Sequence, residues 1–452
     1  MVQIEDISTP VVILRSVGHG PLGILRTLGR LQVPVYVVEA DPWSPAYFSR
    51  YCKGKFLFDV ENVTPAKAVA YLLEVARKIG RRSILIPTTD EVAILVAENA
   101  DLLEQGFIFP RAHAGLVSSL CNKKEMHFLA KRCGIPTPEI VFPQSTDDVL
   151  RFIETATFPV MFKGIDGLRL LKYTGKRMFI VRTGTELLEK YDQISEDERS
   201  NVMLQEYIPG GDDTVWMFNG YFDESSNCQV GFTGKKLRQC PVHRGVTSLG
   251  ICLRNERVEK TTKEFMKAVG YKGILDIGYK YDVRDDCYKV LDINPRIGAT
   301  FRLFVDGNGM DAARALYLDL TGQPVIPSVP VVGRKWIVED LDIVSCFRYG
   351  RGGELTFREW ARSYRGIQET AYFAPDDPLP LLPMFRNDCA DAFGRILNRV
   401  GFGRTKVPES SPEGVTVGNS DRQSFEGSAL PIPRLTEAGG QTSLDSTSAF
   451  FD

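Results

Sequence analysis

Apolar and polar residues alternate along both limbs of the stretch YKGILDIGYKYDVRDDCYKVLDINPRIGATFRLF, Tyr271 to Phe304. Alternation marks a half-buried strand, and the charged residues Arg284 to Asp286 between the limbs predict the turn of a hairpin. On the returning limb Asp292 and Asn294 leave the same face, Arg296 shares their parity, and Pro295 ends or bends the strand. Towards the N-terminus the pattern differs. The apolar run Thr9 to Ser16, a Gly-bearing turn, a helical stretch and the run Val33 to Asp41 follow the order of a βαβ unit. A helix over Pro65 to Ile79, a buried strand Ser83 to Pro87, a helix opened by Thr88-Thr89-Asp90-Glu91 and a strand Phe107 to Pro110 continue it. Residues 1–118 are therefore expected to form a parallel-sheet α/β domain.

The pattern then becomes mixed. A helix is predicted over Lys123 to Cys133, stopped by Gly134 and Pro136, and another over Ser145 to Thr155. An apolar strand within Phe158 to Gly167 carries Lys163 at its polar end, a loop surrounds Thr174 to Lys176, and a strand returns through Val181. A helix over Thr185 to Tyr191 leads to two strands joined by Pro209-Gly210-Gly211. Two further strands enclose Lys235, Lys236 and Arg238. A helix over Glu256 to Val269 precedes the hairpin, and one over Met310 to Leu320 follows it. Residues 119–328 thus read as an α+β domain. RKWIVEDLDIVS is strand-like, and helices near Thr356 to Ser363 and Asp388 to Val400 make residues 329–404 a small α/β cap, with Trp336 and Trp360 in its core. From residue 405 onward Ser, Gly, Pro, Thr and Glu dominate, the composition of a disordered tail.

Composition narrows the function. The chain has 452 residues, 43% hydrophobic and 25% charged, with a formal charge of -2. That is ordinary for a globular protein and offers no basic surface to nucleic acid. The acidic, Pro-containing N-terminus is no signal peptide, and no run of about 18 apolar residues suggests a membrane span. The expected location is the cytoplasm, with no membrane or nucleic-acid partner. The nine cysteines form no Cys-x-x-Cys pair, so they are expected as reduced thiols.

Asp292 and Asn294 present hard oxygens that suit Mg²⁺, and the fork of Arg296 suits a phosphate or carboxylate. A strand end whose Asp and Asn cap a turn is the alternative from these residues alone. Gly18, Gly20 and Gly23 fit a dinucleotide fingerprint by count, with Glu39 or Asp41 as its acid, but Pro21 removes a backbone donor and favours a packing role. Lys123, Lys163, the linker LQEYIPGGDD and the hairpin end together supply what a nucleoside triphosphate needs: cations, exposed backbone, a ribose acid and a metal site.

Five segments occur in order: NKKEMHFLAKRCGIPTP, FPVMFKG, LQEYIPGGDD, KLRQCP and LDINPR. In this they resemble the ATP-grasp superfamily of the carboxylate-amine ligase type, similar to D-aspartate ligase-like and carbamoyl-phosphate synthase-like members. The resemblance covers about Pro10 to Gln323. It implies a Rossmann-like pre-ATP-grasp domain, a two-lobed ATP-grasp domain binding ATP and Mg²⁺, and the C-terminal cap. Lys123 and Lys163 would hold phosphates. Gln205 and the backbone of Glu206, Tyr207 and Ile208 would face the adenine, and Asp213 the ribose. Asp292 and Asn294 would bind Mg²⁺, while Arg296 with Lys235 or Lys236 would hold the transferred phosphoryl group. The implied reaction activates a small-molecule carboxylate as an acyl phosphate, which an amine attacks, and similar families are commonly homodimers. Where the family usually has its first metal acid this chain has Gly278, with Asp276 on the same strand face as a substitute. This departure supports the alternative of a nucleotide-binding protein without catalysis. Arg244, Thr247, Ser248 and Arg302 are candidates for the acceptor side.

Overall fold

The computed structural model describes residues 4–387 except Val17 and Arg244. Five parallel strands open the chain: β1 (Val11–Leu14), β2 (Val35–Glu39), β3 (Cys52–Leu57), β4 (Ser83–Pro87) and β5 (Phe107–Ile108), in the order β3-β2-β1-β4-β5. β1 is buried on both faces, as a central parallel strand covered by helices requires. β3 escapes the sequence pattern because it is an edge strand whose Lys53 and Lys55 point to solvent, a common way of blunting an edge. The strand order reverses between β1 and β4, the position at which open α/β sheets commonly form a crevice beyond the strands' C-terminal ends.

The Gly-rich turn after β1 serves packing. A Cβ on Gly23 would lie 2.9 Å from the Phe301 ring and one on Gly20 3.1 Å from Ala299 Cα. Glu39 is consumed locally, accepting from the amides of Ser16, Ala40 and Asp41 and pairing with Arg15.

A second, four-stranded sheet holds β6 (Ile140–Val141), β7 (Val160–Gly164), β8 (Met178–Val181) and β9 (Val202–Glu206), ordered β6-β9-β7-β8. Between β7 and β8 the expected loop is a helix, Gly167–Thr174. The Asp166 carboxylate accepts from the Leu168 and Arg169 amides at its start, and Gly175 ends it at φ 74°.

The third sheet is the largest: β10 (Val215–Phe222), β11 (Cys228–Cys240), β12 (Val246–Cys252), β13 (Gly273–Asp282), β14 (Cys287–Asn294), β15 (Lys335–Ile337) and β16 (Ile367–Thr370), in the order β14-β13-β10-β11-β12-β15-β16. The segment expected as a separate cap therefore donates β15 and β16 to the edge of this sheet. Only Lys335–Ile337 of RKWIVEDLDIVS is strand. The rest begins the helix Glu339–Arg351, whose first turn carries Glu339, Asp340 and Asp342, the charge a helix N-terminus favours. The helix expected over 388–400 and the tail from 405 lie outside the described residues. Among the described residues no helix is long and apolar enough to cross a membrane.

One core joins the first sheet to the third. Ile13, Leu22 and Leu25 pack in the same cluster as Met217, Tyr221, Phe301 and Leu316. Arg26, from the first helix, is buried against the C-terminal segment. Its guanidinium donates to Asp377 Oδ2 at 3.0 Å and to the carbonyls of Ala371, Tyr372 and Asp377. Arg26 and Asp377 are 3% and 1% exposed, whereas neighbouring Asp376, paired with Arg30, is 40% exposed. Removing one partner of a buried pair strands a charge, while an exposed pair is screened. Asp377→Ala is expected to lower the unfolding free energy by about 3–5 kcal/mol and Asp376→Ala by less than about 1 kcal/mol, measured by denaturant titration. Equal losses would contradict this account of how the C-terminal segment is held.

Candidate active site

The site is built on register. β13 pairs with β10 and β14 so that Asn219, Asp276 and Asn294 form one row across the three strands. Met217, Gly278 and Asp292 form the next. Directly paired residues of an antiparallel sheet share a face, so Asp276, Asp292 and Asn294 come together as the alternation requires.

Arg296, just beyond Pro295, is fixed from two sides. Its Nε donates to Asp90 Oδ1 at 2.6 Å, and its Nη2 to Asn294 Oδ1 at 3.1 Å. Asp90 is the first residue of the helix Asp90–Glu98, so the first sheet's domain reaches directly into the hairpin's end. Burial raises the carboxyl of Asp90 even though Arg296 opposes the shift. Asp276 lies under the backbone of Gly298, where a Cβ would fall 2.4 Å from its Cγ. Burial pushes its carboxyl up to about 6, against the pull of Arg296 and Lys236.

Cations line the other side. Lys163, on β7, donates to Gln205 Oε1 at 3.2 Å, and burial, aided by the charge of Lys123, brings its ammonium down to about 8. Lys123 opens the helix Lys123–Arg132 and donates to the Ile165 carbonyl at 3.2 Å. Lys236, on β11, donates to the Gly245 carbonyl at 3.1 Å, and burial lowers its pKa against Asp276 and Asp292. Lys235 does not join them. It pairs with Trp216 on the opposite face of the sheet and sits 4.7 Å over that ring, because adjacent strand residues point opposite ways.

The linker departs from expectation in part. The Glu206 amide donates to the Glu139 carbonyl within the small sheet, and its carboxylate pairs with Arg284 and Lys289. Glu206 therefore has no free backbone donor, leaving Tyr207 and Ile208 beyond the strand end. Asp213 is exposed, while Asp212 is engaged by Gln239, His243 and Tyr349. Of the acceptor candidates, Arg302 is locked to Asp311 and Glu369, Ser248 to Asp342, and Thr247 points at the Met217 sulfur. Arg244 is not among the described residues.

The structure adds residues that spacing did not reveal. A small cleft between the sheets is lined by Lys123, Lys163 and Gln205 together with His127, Thr137 and Leu291. His127 Nδ1 and Thr137 Oγ1 are buried with no hydrogen-bond partner among the described residues. Buried polar atoms are nearly always paired, so a bound water or a ligand group is expected to pair these two. Lys280, which shares the face of Asp276, donates to the Gly210 carbonyl at 3.0 Å and lies 5.5 Å over the Tyr207 ring. His127 lay hidden within a helical apolar pattern and Thr137 between two prolines, so neither carried a signal.

Among the described residues no three His, Cys, Asp or Glu side chains converge as a metal cluster. The donors still suit Mg²⁺, which is commonly held by one or two carboxylates plus phosphate oxygens and water. Asp292 is exposed and has no hydrogen-bond partner among the described residues, and the Asn294 oxygen lies alongside. A Cβ at Gly278, the partner of Asp292, would meet nothing within 4 Å.

No protein-family model matches the chain. It is 28% identical over 286 residues to the D-aspartate ligase of Enterococcus faecium, covering 61% of this chain and 68% of that protein. It is 24% identical over 210 residues to the carbamoyl phosphate synthase large chain of Thermus thermophilus, covering 45% of this chain but only 20% of that one. Its fold is similar to that of the biotin carboxylase domain dimer of Hydrogenobacter thermophilus 2-oxoglutarate carboxylase, solved with MgADP, ADP and bicarbonate. The TM-score there is 0.53 at 16% identity, over 70% of this chain and 71% of that one. The resemblance drawn from the five motifs thus recurs over 61% of this chain in the D-aspartate ligase comparison.

The space at Gly278 makes a test. Gly278→Asp places a second carboxylate beside Asp292 without a clash and is expected to raise the Mg²⁺ affinity of the nucleotide-loaded protein about tenfold. An unchanged Mg²⁺ titration midpoint would place position 278 away from any metal.

Proposed function

We propose that the protein is an ATP-dependent carboxylate-amine ligase. The observation that carries this reading is the convergence of cations from separate elements: Lys163 and Lys236 within reach of the Asp292 carboxylate, Lys123 beside Lys163, and Arg296 fixed by Asp90 at the hairpin's end. A triphosphate supplies the negative charge that Lys123 and Lys163 lack. Its base would lie towards Gln205 and the backbone of Tyr207 and Ile208, beside the narrow cleft that holds His127 and Thr137, with Asp213 and Lys280 towards the ribose. Asp292 and Asn294 would hold Mg²⁺, which when bound neutralises charge on the phosphate oxygens.

Lys236 and Arg296 would then hold the phosphoryl group as it passes to a carboxylate oxygen. The bond to the leaving diphosphate breaks as the bond to the carboxylate forms, and an amine displaces phosphate from the acyl phosphate to give an amide. The protein's work is positioning and charge neutralisation. The similarity to a D-aspartate ligase supports this chemistry. On the same reading the partners are small molecules, a carboxylate and an amine, acting in the cytoplasm. Gly278, where a metal acid is expected, favours a second reading, a nucleotide-binding protein that does not catalyse.

The experiment is ADP release from Mg-ATP with pooled carboxylates and amines, separately and together, with Lys163→Ala as the blank. The ligase reading predicts release that needs both pools and falls at least about a hundredfold in the variant. ATP binding without release would leave the second reading. Affinity also has a pH signature. Lys163 is charged below about 8 and neutral above, so ATP binding is expected to weaken as pH rises through that value and to lose this step in Lys163→Ala. A wild-type profile flat from pH 7 to 9.5, a range set about the shifted lysine value, would remove Lys163 from the phosphate site.

A further inference from the structure

A second hollow lies away from the cleft, between the first domain and the end of the hairpin. Its walls are apolar: Ile86, Val96, Phe109, Val117, Ile274 and Leu316. It has about 70 Å³ of free volume, several times the roughly 10–15 Å³ that one water occupies. The two hollows share no lining residue.

The charge of the lining is one-sided. Arg111, Lys272 and Arg296 contribute to it, and no Asp or Glu does. Arg296 is held by Asp90, and Arg111 and Lys272 pair with residues outside the lining, Asp101 and Glu104 and Glu224 respectively. Asp101 and Glu224 are exposed, so these pairs are weakly held and can exchange for another carboxylate. The Tyr271 hydroxyl is already committed to the Ile274 carbonyl. An apolar hollow with cations and no acid selects an apolar body bearing an anionic head.

We propose that this hollow is a binding site for a small carboxylate with a branched aliphatic or aromatic body. Pro295, Arg296 and Ile297 form one wall, so an occupant touches the turn that carries Arg296 without entering the cleft. The binding claim does not rest on the ligase reading.

The test uses the full chain without nucleotide, titrated with isovalerate and, as an uncharged control of the same shape, 3-methylbutanol, and followed by calorimetry and thermal midpoint. Saturable isovalerate binding with a rise in midpoint is expected, because a ligand bound only to the folded state stabilises it. The alcohol should bind at least about tenfold more weakly. Ala97→Phe fills the hollow and Arg111→Glu reverses charge at its rim, and each should weaken isovalerate about tenfold or more. Arg111 is exposed, so its variant keeps the test valid if Ala97→Phe misfolds. Failure of isovalerate to bind, equal binding of acid and alcohol, or affinity unchanged in the folded variants would overturn the proposal.

Discussion

Two half-buried lysines govern this molecule. Lys163 and Lys236 donate to neutral oxygens, Gln205 Oε1 and the Gly245 carbonyl, and burial lowers the pKa of both. A desolvated cation whose hydrogen bonds go only to neutral oxygens is costly, and such groups cluster where a ligand completes them. The carboxylates on the same face offset this cost only in part. Asp276 is covered by Gly298, with burial raising its carboxyl to about 6, and Asp292 is exposed with no hydrogen-bond partner among the described residues. The cleft is thus electrostatically incomplete in a way that a polyphosphate would complete.

What makes the arrangement stiff is that its parts come from different sheets. Lys163 belongs to the small sheet, Lys236 and Asp292 to the large one, and Asp90, which orients Arg296, to the first domain. The shared core of Ile13, Leu25, Met217 and Phe301 and the Arg26–Asp377 pair lock the first domain to the large sheet. The small sheet joins through fewer bonds, among them the pairing of Glu206 with Arg284 and Lys289. A rigid body carrying Lys236, Arg296 and Asp292 can then receive a nucleotide from a lobe carrying Lys163 and Gln205.

Much of this was legible in the alternation of residues. The β13–β14 hairpin and the shared face of Asp292 and Asn294 follow directly from it, as do the helices Pro65–Ile79 and Glu256–Val269. Parity also carried a warning about the lysine pair, since adjacent residues 235 and 236 on a strand cannot face one cleft. Other features depend on contacts distant in sequence. No local pattern shows that Asp90 reaches Arg296, that the Glu206 amide is spent on Glu139, or that Lys335–Ile337 extends the large sheet. The helix Gly167–Thr174 was obscured because it is only eight residues long and is bounded by Gly167 and Gly175, residues that signal turns.

The claim that a carboxylate takes the phosphoryl group has a direct signature in the fate of one oxygen. The carboxylate that supports ADP release is labelled with ¹⁸O and turned over with Mg-ATP and its amine, and the released phosphate is analysed by mass spectrometry. An acyl phosphate intermediate predicts one labelled oxygen in each phosphate, because the carboxylate oxygen leaves with the phosphoryl group. Phosphate free of label, with ADP still formed, would show that water receives the phosphoryl group and would contradict the account.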